Sequence, residues 1–254
     1  MQQIEQERYA EVCKRFFPEK SGWDMLSCCV DTPAHRDFVH LFVDCAAAAR
    51  SVAVQMGDFL FLGGVPDEKF LRSVVDRSGL LLIGEHWMEM AQRLFGQSRR
   101  YLRYRMQLKN PPSQLPPLPV GCSLEPIGPH WFAECQKTPW MRDFCSQFAC
   151  FSQYQRYGMG FVLVRDGQAL SGASSYLTSP TGFTIQVQTR EDCQRQGLAR
   201  IVSTALIQSA CAKHLYPDWD ADNCASLMLA ESLGYVLEKA YPTVLVEGLE
   251  EGKE

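Results

Sequence analysis

A chain of 254 residues that is 46% hydrophobic and 21% charged can bury one large core or two small ones, which excludes extended disorder. The formal net charge of −4 argues against a nucleic-acid partner, because phosphates attract a basic surface, and suits a cationic or neutral ligand. The N-terminal stretch MQQIEQERYAEVCKRFF is polar and then amphipathic, so no secretory leader is expected. The longest apolar runs, Gly79–Ile83 and Cys45–Ala49, are core-sized, so no membrane partner is expected and the chain reads as cytoplasmic. Eleven cysteines are present, with Cys28 and Cys29 adjacent and Cys145 and Cys150 five apart, and none forms a C-x-x-C pair. They read as reduced, mostly buried thiols. A zinc site is the sharper alternative, but no Cys/His spacing supports it, so no metal is expected.

In chain order, the alanine-rich segment Asp37–Gln55 reads as a helix. Phe59–Leu62 and Leu80–Ile83 are short apolar runs that fit buried strands. Between them, Pro66 and Asp67 can open a helix with Phe70, Leu71, Val74 and Val75 on one face. Glu85–Phe95 is a second helix, stopped by Gly96. RRYLRYRMQL alternates, with Leu102, Tyr104, Met106 and Leu108 facing one way and Arg103, Arg105 and Gln107 the other, which predicts a strand with one wet face. NPPSQLPPLPVG, Asn110 to Gly121, holds five of the fourteen prolines and reads as a stiff connector. The expected layout is an N-terminal α/β domain over residues 1–110, a linker over 111–121 and a second domain over 122–254, ending in an acidic tail from Glu247 to Glu254.

In the second half, Phe161–Val164 is a strand, Asp166-Gly167 a hairpin turn and Ala169–Leu177 the returning strand. Ser179-Pro180-Thr181-Gly182 turns again into Phe183–Thr189, so the three strands form an antiparallel meander. The helix after Gly197 carries Leu198, Ile201, Val202, Ala205 and Leu206 on one stripe. A short strand, His214–Trp219, follows, and Asp222 or Asn223 can cap a further helix. There Ala225, Leu229 and Leu233 stack at four-residue spacing, Gly234 ends the helix, and Tyr235–Val246 returns as strand.

The segment QVQTREDCQRQGLARIVSTAL passes from strand to helix through Gly197. The first N–H groups of a helix lack intrahelical partners and point outward at the positive end of the dipole. A glycine there lets an anion approach the backbone closely, and Arg195 adds charge. Taken alone, Q-x-x-G-x-A is short, and an ordinary glycine at a helix start is the plainer explanation. It is followed, a helix length downstream, by YPDWDADNCASLMLAESLGY.

Together these stretches resemble the GNAT superfamily of acyl-CoA-dependent N-acetyltransferases. Its [R/Q]-x-x-G-x-[G/A] motif after a strand is matched by Gln194, Gly197 and Ala199, and its later helix by Asn223 and Leu233-Gly234-Tyr235. FVLVRDG, TREDCQRQGLA and PDWDADNCASLMLAESLGY look like the subgroup that includes the zwittermicin A resistance acetyltransferases, in which a variable N-terminal half precedes the GNAT domain. The resemblance covers about Cys122 to Val246 and extends over DFLFLGG and RRYLRYRM. It implies an α/β chain whose C-terminal part is a mixed, mostly antiparallel sheet flanked by helices. It also implies acetyl-CoA as co-substrate. The backbone of Gln194, Arg195, Gln196, Gly197, Leu198 and Ala199 would then cradle the pyrophosphate. The pantetheine arm would lie beside Val187, Gln188 and Thr189, where the sheet splays, and Asn223 and Ser226 would face it.

One departure stands out: where many relatives place a tyrosine that protonates the leaving thiolate, this chain has Ala230. Tyr235 and Tyr241 are near in sequence, Tyr235 being the better fit to a core position. His214 as a base and Cys193 as a nucleophile are weaker candidates than a loop histidine and an ordinary thiol. Trp131, Trp140, Phe144 and Asp143 either pack or line an acceptor pocket. The expected function is acetyl transfer from acetyl-CoA to a primary amine of a small molecule, with the first half supplying one wall of the acceptor site. A protein amine as acceptor, a non-catalytic acyl-CoA-binding module, and a first half that docks partners are the alternatives.

Overall fold

A computed structural model describes residues 1–17, 25–27, 38–76 and 78–248. Asp37, the Cys28–Cys29 pair and the tail from Leu249 lie outside the described residues. The elements run β1 (Gln2–Gln3), α1 (Tyr9–Phe16), β2 (Val39–Val43), β3 (Ser51–Met56), β4 (Phe59–Gly64), α2 (Glu68–Val74), β5 (Leu81–Ile83), α3 (Met88–Leu94) and β6 (Arg99–Leu108). Then come β7 (Cys122–Pro126), α4 (Pro129–Lys137), α5 (Phe151–Tyr157), β8 (Gly160–Arg165), β9 (Gln168–Ser179), β10 (Gly182–Thr189), α6 (Leu198–Ala212), β11 (Tyr216–Ala221), α7 (Cys224–Ser232) and β12 (Tyr235–Leu245).

The chain divides into two units, Met1–Ser21 with Arg36–Arg103 and Ala240–Glu254, and Gly22–His35 with Tyr104–Lys239. This differs from the boundary the prolines suggest. Residues 111–121 lie inside the second unit, where Gln208 Nε2 of α6 donates to the carbonyl of Pro112 at 3.0 Å. The divisions fall within β6 and β12. The reason is hydrogen bonding: Thr243, Val244 and Leu245 pair with Ile83, Leu82 and Leu81, so the end of the last strand belongs to the first unit.

In the first unit, β1 to β4 pair antiparallel in succession, β4 and β5 run parallel across α2, and the end of β12 lies antiparallel to β5. Asp67 caps α2 by accepting the Phe70 N–H at 2.7 Å, and Phe70, Leu71 and Val74 pack with Leu60, Leu82 and Trp87. The helix expected over Asp37–Gln55 is instead two strands. Val39, Leu41 and Val43 are buried and alternate with half-buried His40 and Phe42, and Val52, Ala53 and Val54 are fully buried. The alanines at 46–49 form the turn between them, where the Asp44 carboxylate accepts the N–H groups of Cys45, Arg50 and Ser51 at 2.9, 3.0 and 3.2 Å. Alanine's helix propensity is a weak force beside two strands of buried side chains. The wet face expected on β6 is also corrected: Leu102 is 48% exposed while Arg103 is only 6% exposed, its guanidinium over the Phe59 ring at 5.4 Å.

In the second unit the strand order is β12, β6, β11, β10, β9, β8, β7, each of β12 and β6 contributing its second-unit half. β10 and β11 run parallel, whereas β6–β11, β9–β10, β8–β9 and β7–β8 are antiparallel. Asp166 and Gly167 both have positive φ, 51° and 73°, the conformation of the two-residue turn expected between β8 and β9. Alternation splits the sheet's two faces. Val162 and Val164 pack with Trp131, Phe132 and Phe144 of the α4 side, while Leu163, Ala173 and Phe183 pack with Leu198, Ile201 and Val202 of α6. On α7 the buried face runs through Ala230 and Leu233 rather than Ala225, which is exposed. Gly234 ends that helix at φ 91°, and a Cβ there would collide with the carbonyl of Asn110.

Candidate functional site

The site begins with a strand that loses one neighbour. β10 pairs with β9 from Gly182 to Thr189, but with β11 only at Gly182↔Tyr216, Phe183↔Pro217 and Thr184↔Asp218. Beyond that, Trp219, Asp220 and Ala221 pair with β6 instead. At the same place β9 carries an extra residue: Ser175 to Thr178 opposes only Ile185 to Phe183. The sheet therefore forks after Thr184, and from Ile185 on one edge of β10 has no paired strand among the described residues. Arg190 N–H donates to the Leu170 carbonyl at 2.9 Å, which sets the alternation. Val187 and Thr189 turn their backbone groups into the fork; Gln188 turns its toward β9, where its carbonyl accepts from Ser171 Oγ at 3.2 Å.

β10 leads into a 3₁₀ turn, Glu191–Cys193. Arg190 clamps it, donating to both Asp192 oxygens at 2.6 and 3.0 Å and to Gln168 Oε1 at 3.1 Å. The hydrogen bonds to Asp192 raise the Arg190 pKa, and those from Arg190 lower that of Asp192. Gln194, Arg195, Gln196 and Gly197 are exposed, and Gln194 Nε2 reaches back to the Thr189 carbonyl at 3.4 Å. Arg195 and Gly197 have φ of 60° and 76°. Gly197 is the N-cap of α6, with no side-chain cap, and nothing lies within 4 Å of where its Cβ would sit. The N–H groups of Leu198 and Ala199 are thus at the open end of a 15-residue helix, next to the fork. Across the fork, Asn223 Oδ1 accepts the Ser226 N–H at 3.0 Å and caps α7, and Ser226 Oγ accepts from Trp219 Nε1 at 3.1 Å.

A strand that forks from its parallel neighbour and runs through a glycine turn into a helix is the arrangement the motifs implied, and a family model for GNAT acetyltransferases matches residues 14–244. The chain belongs to the GNAT acetyltransferase family. A GCN5-related N-acetyltransferase-like protein from Streptococcus suis is similar to it, with 27% identity and a TM-score of 0.83 over 95% of this chain and 99% of that one. A Drosophila melanogaster protein (11% identity, TM-score 0.62, 97% and 98% covered) shares the fold. So does a tandem GNAT protein from the clavulanic acid biosynthesis pathway (11% identity, TM-score 0.58, 99% and 98% covered). No match is found among the curated proteins. The two-unit layout of this GNAT chain fits its full-length likeness to the tandem protein.

Other expected residues fall elsewhere. Ala230 is fully buried among Met106, Ile207, Trp219 and Leu233. Tyr235 is core, its hydroxyl donating to the Pro217 carbonyl at 2.6 Å, and burial pushes its pKa well up. Tyr241 belongs to the first unit. His214 is exposed in the turn after α6, at the opposite helix end from Gly197. Cys193 is buried beside the Arg190–Asp192 clamp. Trp131 and Phe144 pack in the core on the α4 side, Trp131 donating to Glu125 Oε2 at 2.7 Å, and Trp140 stands edge-on to Phe144. Thr184 and Asp218, the last pair before the fork, were not singled out from the sequence, although the alternation in PDWDAD marks Asp218 and Asp220 as sharing a face.

Proposed function

We propose that this GNAT chain transfers the acetyl group of acetyl-CoA to a primary amine of a small molecule, in the cytoplasm, and that it belongs with the zwittermicin A resistance subgroup. The observation that supports this best is the fork after Thr184 opening beside the uncapped start of α6. The pyrophosphate would rest on the backbone from Gln194 to Ala199, where exposed N–H groups and the helix dipole favour an anion. The pantetheine amides would bond the fork-facing backbone of Val187 and Thr189, as an added strand does, with Gln188 contributing through its exposed side chain. Asn223 keeps its Nδ2 for the arm after capping α7 with Oδ1, and Ser226 keeps its hydroxyl proton.

In the reaction the neutral amine nitrogen forms a bond to the thioester carbonyl carbon. The C–S bond then breaks, its electron pair stays on sulfur, and the amine's surplus proton passes to a base or ordered water. The fork-facing N–H of Val187 is the nearest backbone donor in this scheme for the oxyanion. A thiol pKa of about 8.5 lets the thiolate leave without a tyrosine acid.

Buried Ala230 favours a second reading, a binder of acyl-CoA that turns nothing over. Calorimetry with acetyl-CoA and thiol release across an amine panel separate the two. Gly197→Val, which puts a branched side chain at φ 76°, should weaken acetyl-CoA binding at least tenfold, about 1.4 kcal/mol. Unchanged affinity in a folded variant would overturn the cradle; binding without thiol release on any amine would leave the binder.

A further inference from the structure

The connector Asn110–Gly121 takes no part in the fork, and its sequence leaves its backbone little freedom. Proline fixes its own φ at about −65° and holds the residue before it in extended or polyproline II geometry. The five prolines therefore restrain every position from Asn110 to Pro119 except Ser113 and Gln114. No helix or strand forms there, and from Gln114 to Val120 exposure repeats with period three: Pro116 and Pro119 are half-buried and the residues between and beside them are exposed. Three residues per turn is the repeat of polyproline II, so one edge of this strap rests on the second unit and two edges stand clear. Leu115 and Leu118, 40% and 38% exposed, form one open edge, and Gln114, Pro117 and Val120 the other.

The strap is tethered at both ends. Gln208 Nε2 donates to the Pro112 carbonyl, and the Cys122 N–H donates to the Pro119 carbonyl, each at 3.0 Å, the chain turning at Gly121 with φ of 74°. Between these anchors the backbone of residues 113–118 makes no hydrogen bond among the described residues, so its carbonyls keep their acceptor capacity. Charge is an independent observation. No charged residue occurs from Asn110 to Leu124, and Lys109 stands seven positions before Pro116. An uncharged ridge of prolines and leucines is complementary to an uncharged aromatic groove rather than to an acidic one.

We propose that Pro116-Pro117-Leu118-Pro119 is a docking ligand for a partner protein carrying a WW-type domain, whose aromatic groove clamps a polyproline II ridge. Pro117 and Leu118, the exposed pair between the two half-buried prolines, enter the groove, and the groove's hydrogen-bond donors take carbonyls that the strap leaves unused. Because the strap is already held in shape, little ordering entropy is lost on binding. Gln208, which anchors it, lies ten residues along α6 from Leu198, about 15 Å from the helix start beside the fork. Docking is therefore independent of acetyl-CoA binding and of the acetyl-transfer reading.

The test is calorimetry of the full chain against an isolated WW domain that takes Pro-Pro-Leu-Pro ligands, with an SH3 domain for comparison. The WW domain should bind at one site, at least as tightly as it binds a free peptide of residues 110–121. Pro117→Ala and Leu118→Glu should each weaken that binding at least tenfold, with melting temperature and acetyl-CoA affinity unchanged. Both side chains are exposed, so either variant keeps the test decisive if the other fails to fold. No binding by the full chain, binding more than tenfold weaker than the free peptide's, or binding that survives both substitutions would overturn the inference. Tighter binding of the SH3 domain than of the WW domain would overturn it as well.

Discussion

Ala230 and Asn223 lie seven positions apart around α7, and the sequence shows both, yet only their surroundings tell what each can do. Ala230 is fully buried against Ile207, Trp219 and Leu233. A tyrosine at this position, where the family resemblance leads one to expect it, would overpack that contact. Ala230→Tyr should lower stability by about 1–3 kcal/mol, read as an earlier urea midpoint with an unchanged slope. A midpoint equal to wild type would mean that the ring finds a way out to the fork. Asn223 combines a cap bond with an exposed amide. Asn223→Ala should cost about 1 kcal/mol through the lost cap, whereas Asn223→Asp preserves it. If Nδ2 serves pantetheine, Asn223→Asp raises the KM for acetyl-CoA severalfold while its melting temperature stays put. Equal KM values in the aspartate variant and wild type would reduce Asn223 to a cap. The missing acid was legible as a residue type; its burial was not, because burial depends on which strand lies under the helix.

Among the elements, the β10–α6 passage was the most readable, because strand alternation, a charged turn and Gly197 are all local signals. The β2–β3 pair was the least. Its alanines at 46–49 favour helix locally, but the buried side chains of the two strands override them, and Asp44 fixes the turn by accepting the N–H of neighbouring Cys45 and, across the turn, those of Arg50 and Ser51. Partial burial acts to raise the Asp44 pKa, but the backbone hydrogen bonds from Arg50, Ser51 and Cys45 outweigh it, and the net value lies below the ordinary 3.8. A carboxyl with a depressed folded-state pKa stabilises the fold fully above its unfolded value, and that contribution fades as pH falls through the folded value. Melting temperatures of wild type and Asp44→Asn should therefore differ by a constant amount above about pH 5 and converge below about pH 4. A gap that persists into acid would show that the charge on Asp44 does not matter to the turn.

For the whole molecule, the division into units changes what a truncation means. Removing residues 1–110 looks like removing one domain and a little linker. It also takes Tyr104, Arg105 and Met106, which pair with Ala221, Asp220 and Trp219, and the N–H groups of Lys109 and Asn110 that bond the Gly234 carbonyl at 3.1 Å. The bared edge of β11 would invite pairing with other chains. A chain starting at residue 111 should give far less soluble, folded protein than one starting at 104, measured by soluble yield and circular dichroism. Equal yields would show that the strand from the first half is dispensable to the second unit. The α/β class, the meander and the helix after Gly197 were readable from the chain, since each rests on periodicity or turn chemistry within a few dozen residues, and the family was readable through the resemblance of its motifs. The fork after Thr184, the burial of Arg103 and Ala230, and the return of Thr243–Leu245 to the first sheet were not. Each depends on which distant strand lies alongside, and a strand's edge and faces acquire their meaning only when that neighbour is in place.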